Sequence, residues 1–550
     1  MAENKPRADL LIDLYQRKKG VRQNFETYWQ SLHDYFYIES ANVNEQYAPG
    51  NELKSDFLWD STTLEVADTL AAGFMNYLTP PSSKWARLVH KDMKKREDKE
   101  ISNYLEDVTD EVHYALNRSN FYNTMFPTYK SSGVYGTSII LEEEDIDDGV
   151  RFYNFPCKQC VIIEDGRGRV VQYFIEFEYT ADQAASRWGV EKLSQKLKAE
   201  IAEDKGSSKK HQFLLYIGKR SIRQIDKTDK KNLPIEASWL DVEGRYIIDE
   251  GGYNEFPAMT HRFDKLPFIE WGLSPAMKAL PFARILNAQA KTNLRMMMKL
   301  TDPPVAVPDN AFIMPFNNNP RAVNYYNRSK MVGGSNDIFA FSNYGNPQVG
   351  MTAIDYYAQK VKALMFHDTF LAFENITKQM NNPEVYEKIN EKMSMLGPSV
   401  GRYISEMLNP IIIRTVGILS RSGRLPPPPD SMRDNPEYEI DTISQLAQAQ
   451  KRSELQALTG GLQLVSSMAQ FAPDVMDNIS SDAVVREAWG IMGSPTQVLR
   501  SDDEIQAMRE ARGKVAQQQQ EMNLAQQGAD VVHKGTASDL NTAKAEAGAK

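Results

Sequence analysis

Only two cysteines occur in 550 residues, Cys157 and Cys160, so a disulfide framework cannot be what stabilises the chain. Long apolar runs are lacking as well. With 41% hydrophobic residues, 25% charged residues and a mean hydropathy of −0.51, no stretch approaches the roughly 20 consecutive apolar residues of a spanning helix. The longest candidate, Met407 to Leu419, is interrupted by Asn409, Pro410 and Arg414. No membrane partner is expected. The N-terminus, Met1-Ala-Glu-Asn-Lys-Pro-Arg, has no apolar core of the kind a signal peptide needs, which points to a reducing compartment. An excess of basic charge is also missing: 64 Lys and Arg stand against 73 Asp and Glu, a formal net charge of −9. A protein that grips polyanions by neutralising phosphates has the opposite sign. Any contact with nucleic acid should be loose.

Catalytic machinery is equally scarce. The sequence holds no Gly-x4-Gly-Lys-Ser/Thr loop, no Gly-x-Ser-x-Gly elbow and no His-Glu-x-x-His pair. Gly133-Val-Tyr-Gly136-Thr137 is too short to count as a nucleotide loop. Cys157-Lys-Gln-Cys160 has the spacing of a redox dithiol or half a zinc site, but a structural zinc needs four ligands. No other cysteine occurs, and the nearest histidines are His113 and His211. A thioredoxin-like pair would sit at a helix N-terminus after a strand, whereas this one lies between two predicted strands. Two core or hairpin thiols are expected. The acidic run Glu142 to Asp145, continued by Asp147 and Asp148, lacks the ligand order of a calcium loop and reads as a solvated hairpin turn. The chain is expected to be no enzyme and to need no cofactor.

What is present is periodic. Leu10, Leu11, Leu14, Tyr15, Val21, Phe25, Tyr28, Trp29, Leu32, Tyr35 and Phe36 recur at helical spacing from Arg7 to Tyr37, with Gly20 as a possible bend. A second helix starts at Asp60-Ser-Thr and stops at Pro80-Pro81, and a third runs from Lys99 to Asn120. The period then changes to that of strands at 138–141, 150–155, 160–163, 170–177, 212–217 and 246–248. Helices at 181–188 and 192–202 interrupt them. A helix from Ala276 to Leu300 follows, then some fifty residues rich in Asn, Gly and Pro, and a helix from Ile354 to Phe373. A polar break at 374–382 precedes a long helix, Glu384 to Leu419, with Asn382 as N-cap and Pro383 at its first position. Pro426 to Pro429 form a polyproline spacer. Helices return from Ile443 to Arg500, and a tail rich in Gln, Ala and Lys closes the chain. The fold class is α+β and mainly helical.

Arg284, Lys291, Arg295 and Lys299 stand seven, four and four residues apart, close to one face of the 276–300 helix. Ile285, Leu286, Leu294, Met297 and Met298 lie off that face. The stripe is either a solvated face or a cationic rail for a polyanion.

Several short segments resemble the portal proteins, or head-to-tail connectors, of short-tailed bacteriophages. They are Thr79-Pro80-Pro81-Ser-Ser-Lys-Trp85, Ser132-Gly-Val-Tyr135-Gly136-Thr137, Ser274-Pro275-Ala276-Met277-Lys278-Ala279-Leu280-Pro281, Asp302-Pro303-Pro304 and Leu425-Pro-Pro-Pro, in that order along roughly residues 8 to 500. The resemblance implies a portal fold assembled as a dodecameric ring around a central channel. Residues 1–273 would form the wing, 274–301 and 351–373 two stem helices, 302–350 the clip, 374–383 the tunnel loop, 384–440 the long helix and wing return, 441–505 the crown and 506–550 a flexible tail.

The same resemblance implies that double-stranded DNA is packaged and ejected through the channel. Arg284, Lys291, Arg295, Lys299, Lys360, Lys362 and Lys378 are the candidates to meet it, with Asn375, Thr377, Lys378, Gln379, Met380 and Asn381 in the tunnel loop. Asp309, Asn310, Arg321, Tyr325, Arg328 and Lys330 would face terminase and the tail adaptor from the clip. The implied partners are further copies of the chain, the terminase large subunit, major capsid and scaffolding proteins, the tail adaptor and internal core proteins. The implied location is a capsid vertex of the virion, after assembly in the host cytoplasm. Twelve copies at −9 give a ring of formal charge −108, which repels a duplex toward the axis while sparse basic rings hold it transiently. The alternative is a structural scaffold or adaptor of the virion without a channel.

Overall fold

The structure, a computed structural model, describes residues 4–39, 57–203, 205–206, 209–224, 227, 229–301, 305–306, 325, 339–340, 346–371, 396–432, 437–442, 455, 458–468, 480–492, 500, 504–515 and 517–519. It is α+β, and the chain divides into two compact units. The first comprises 1–86, 110–425 and 444–449; the second comprises 87–109, 426–443 and 450–550. Among the described residues no helix is long and apolar enough to cross a membrane.

In the first unit, α1 (Asn4–Phe36) is helical without a break at Gly20. Its stripe Ala8, Ile12 and Tyr15 packs on one face of a five-stranded antiparallel sheet. That sheet has the order β4 (Cys160–Glu164), β5 (Val170–Thr180), β6 (Lys210–Lys219), β7 (Ile235–Asp241), β8 (Tyr246–Tyr253). Its other face is covered by α5 (Ala181–Trp188) and α6 (Gln195–Ala202), through Ala181, Ala184, Leu193 and Leu197 against Phe213 and Ile248. Alternate residues of β6 thus serve two cores: Leu214 and Tyr216 face α1, and Phe213 faces α5 and α6. This is why 213–217 reads as a continuous apolar run. The capping box expected of a helix start appears at Thr180 and Gln183.

A second sheet, of order β3 (Gly149–Phe155), β2 (Thr137–Asp145), β9 (Ala258–Arg262), lies against α4 (Phe121–Tyr135). The sequence reading missed α4. The reason is burial: every residue from Thr128 to Tyr135 is buried, so the helix shows no polar face to betray its period. It ends at Gly136, whose φ of +81 suits a left-handed cap. The helices expected at 60–78 and 99–120 are α2 (Thr62–Leu78) and α3 (Lys99–Arg118).

Two helices carry the candidate residues. α7 (Pro275–Thr301) leads to β10 (Val305–Ala306), which pairs antiparallel with β11 (Phe339–Ala340), and α8 (Pro347–Leu364) then packs along α7. Asn346 caps α8 by accepting a bond from the Gln348 amide at 2.9 Å, with Pro347 next to it. The helix expected at 354–373 is therefore displaced. It starts seven residues earlier, stops at Leu364, and turns at Phe366, whose φ is +58, before a short helical segment at 367–371.

The long helix expected from Glu384 lies outside the described residues up to 395, together with its N-cap Asn382. Beyond that it is helical at 396–402, widens to a π-turn over Tyr403–Leu408, and continues as α9 (Asn409–Arg421). Pro410 has no N–H to give to the Glu406 carbonyl, which accounts for the widened turn before it.

The second unit pairs residues of β1 (Ala86–His90) with β12 (Tyr438–Thr442), and Arg87 holds Asp441 at 2.8 Å. Its helical residues include 458–468, α10 (Ser481–Met492) and 504–515. Arg509 holds Asp482 with two bonds of 2.7 and 2.8 Å.

Candidate nucleic-acid interface

Charge is distributed unevenly along the chain. α7 contains Lys278, Arg284, Lys291, Arg295 and Lys299 and no carboxylate; α8 contains Lys360 and Lys362 against Asp355. The pair of helices is thus cationic in a chain of net charge −9. Arg284, Lys291, Arg295 and Lys299 sit opposite the buried stripe Ala279, Ala283, Leu286 and Asn293, so along this part of the helix packing and charge occupy different faces.

The structure treats the individual cations differently. Arg284 donates to Ser31 Oγ of α1 at 2.9 Å, and Lys291 lies 5.3 Å from the ring centre of Trp59. Both are engaged by their own chain. Arg295 is exposed and makes no hydrogen bond or ion pair among the described residues, and Lys299 beside it is also exposed. On α8, Lys360 stands 5.6 Å over its neighbour Tyr356, and Lys362 approaches Glu65 of α2 at 3.7 Å. Lys378 and the other five residues expected in the loop 374–383 lie outside the described residues. So do Asp309, Asn310, Arg321, Arg328 and Lys330; Tyr325 is described and exposed.

α7 is held at its origin by close backbone approach. A Cβ on Gly272 would stand 2.1 Å from the Gly136 carbonyl oxygen, and one on Gly136 would stand 2.3 Å from that of Gly272. The Gly272 amide donates to Thr137 Oγ1 at 2.8 Å, and the Ser274 hydroxyl donates to the Val134 carbonyl at 2.7 Å. Trp271 is buried edge-on against Trp29 of α1 at 4.8 Å. The start of α7 is therefore locked to α4, β2 and α1 together.

Asn287 was not singled out by its sequence context, yet it organises the opposite flank. Its amide donates to the Phe57 carbonyl at 2.8 Å and its Oδ1 accepts from the Trp59 amide at 2.6 Å. The available signal was an amide directly after the apolar pair Ile285-Leu286 of α7, one of three amides in that helix with Gln289 and Asn293.

The rejected chemistry also has a place in the fold. Cys157 and Cys160 are free and buried between β3 and β4; the Cys157 thiol donates to the Thr137 carbonyl at 3.0 Å, and burial pushes it up to about 12. The acidic run, by contrast, is not wholly a solvated turn. The turn comprises 146–148 only, and Glu142 lies in β2, fully buried, with Thr415 Oγ1 at 2.8 Å and the Arg414 guanidinium on its backbone carbonyl at 3.0 Å. Desolvation pushes its carboxyl up to about 8 against the opposing effect of Arg414. Arg414 and Thr415, just over one turn of helix from Pro410, could not be matched to Glu142 from sequence, because 272 and 273 positions separate them from it.

Comparison with known proteins shows which family the chain resembles along its length. The profile of the family described as bacteriophage head to tail connecting protein matches residues 8–499. A portal protein of Salmonella phage epsilon15 is 27% identical over 548 residues, covering 98% of both chains. A probable portal protein of Bordetella phage BPP-1 is 25% identical over 538 residues, covering 97% of this chain and 96% of its own.

Proposed function

Because the chain belongs to the bacteriophage head to tail connecting proteins, we propose that it is the portal subunit of a virion, forming with further copies a ring through which double-stranded DNA enters and leaves the capsid. The observation that carries this reading is the segregation of charge. Five cations and no carboxylate stand on α7 in an otherwise acidic chain. Phosphate neutralisation throughout a channel would hold a duplex too tightly for it to slide. A narrow cationic face in an acidic body holds it weakly and in few places, which is what passage requires.

In this reading α7 and residues 351–373 form the channel wall, with Arg295, exposed and without a hydrogen bond or ion pair among the described residues, the first cation to meet DNA. Residues 302–350 project toward terminase and the tail adaptor, 374–383 narrow the bore, 1–273 and 384–440 form the wing, and 441–505 the crown. The chain supplies no hydrolysis of its own; the energy of packaging comes from terminase. Capsid, scaffolding and internal core proteins meet the ring at its vertex. Negative-stain electron microscopy of the purified chain tests the reading. End-on rings of about twelve subunits with a hole wide enough for a duplex support it, and monomers or filaments under all salt conditions overturn it.

A further inference from the structure

The loop between β9 and α7 presents an apolar tip on a rigid base. Phe268 is fully exposed and has a φ of +64, a left-handed conformation that a bulky residue adopts only under strain. Leu266 and Pro267 beside it are exposed too. The base, in contrast, is tied at every side. Asp264 and Leu273 exchange backbone bonds of 3.1 and 2.7 Å, Lys265 holds Glu164 of β4 at 3.0 Å, Lys18 of α1 pairs with Glu270, and Trp271 is buried. A strained aromatic side chain held out in water by such a frame is preorganised for burial elsewhere.

A matching surface stands on the same chain, on the other flank of α7. Lys278 reaches back to Asp264 at the base of the tip, while Asn287 clamps the segment that carries the exposed rings of Phe57 and Trp59. Nine residues separate 278 from 287, which at 100° per residue is half a turn. The tip and the aromatic pair therefore flank α7 on opposite sides, and Arg295 faces out between them. A ring built from one kind of chain needs this arrangement: a head-to-tail contact joins two different patches of the same subunit.

We propose that Phe268 of one copy docks against Phe57 and Trp59 of a second copy, with Leu266 and Pro267 packed around it. This rests on the portal reading above and adds the contact that joins neighbours. Aromatic rings meeting tilted or edge to face supply the attraction, and burial of an otherwise wetted ring supplies the rest. Because Phe268 is fully exposed, its replacement leaves the subunit fold intact.

The test uses the full chain. Mass photometry over a dilution series gives the concentration at half assembly for the wild type, Phe268→Ser, Trp59→Ser and the double variant. Each single variant should raise that concentration about tenfold or more, as expected for a buried aromatic anchor, and the double variant should lose little beyond either single one, because both remove the same contact. A benzophenone-bearing amino acid at position 268 should crosslink assembled rings to the peptide containing Phe57 and Trp59 of another copy. Rings that form at wild-type concentrations in Phe268→Ser, or crosslinks only within one chain or to another protein, would overturn the contact and leave the portal reading standing. A wild-type chain that stays monomeric would overturn both.

Discussion

The Thr415 hydroxyl lies 2.8 Å from Glu142 Oε1 and 2.9 Å from the Ile411 carbonyl, and it has a single proton to give. A carboxylate would compete with the carbonyl for it; a neutral carboxyl supplies the second proton and satisfies both. This agrees with the raised proton affinity of Glu142, whose carboxyl moves from an ordinary 4.5 to about 8 in the fold. Between those values the folded chain keeps a proton that the unfolded chain has lost. The contribution to stability is thus largest below about 4.5 and falls as pH rises toward 8. Glu142→Gln, neutral at every pH, should remove this slope, so that the variant gains on the wild type by on the order of a few kcal/mol between pH 5 and 8. Urea unfolding midpoints measured across that range check it, and parallel curves would show that Glu142 is ionised throughout. Sequence could place Glu142 in an acidic run but could not show it buried, because its partners on α9 arrive from a distant part of the chain.

At the scale of elements, α7 depends on how it begins and on what it exposes. Gly272→Ala would drive a methyl group into the Gly136 carbonyl and separate α7 from β2. Both positions are backbone against backbone, so no side chain can yield; a loss of about 2 kcal/mol or more in thermal unfolding is expected. An unchanged melting temperature would show that the junction adjusts. Farther along, Arg295→Glu should leave folding and assembly as they are, since Arg295 has no partner to lose among the described residues, and should lower DNA packaging several-fold. Packaging at the wild-type level would make the stripe an ordinary solvated face. The period of α1, α2, α3 and α7 was readable because each has one apolar face. α4 was not, its second half being buried all round, and β1, β9 and β12 were missed because strands of five residues between loops carry too few alternations to stand out.

For the whole molecule, the acidic balance predicts weak affinity. Assembled chain should bind free duplex DNA with a dissociation constant in the micromolar range or weaker at physiological salt, as expected of non-specific contacts. Filter binding at increasing salt measures it; nanomolar binding would contradict a sliding channel. Composition was enough to indicate that no described helix is long and apolar enough to cross a membrane, since spanning needs a local apolar run. Helical period and the order of short Pro- and Gly-containing segments were enough to indicate an α+β connector, because both are written in neighbouring residues. The tertiary structure alone decided that Glu142 is buried, that among the described residues Arg284 and Lys291 are engaged while Arg295 is not, and that Phe268 stands strained on one flank of α7 with Trp59 on the other. Those facts depend on contacts between residues tens to hundreds of positions apart, and no local pattern specifies which distant side chain will fill a given space.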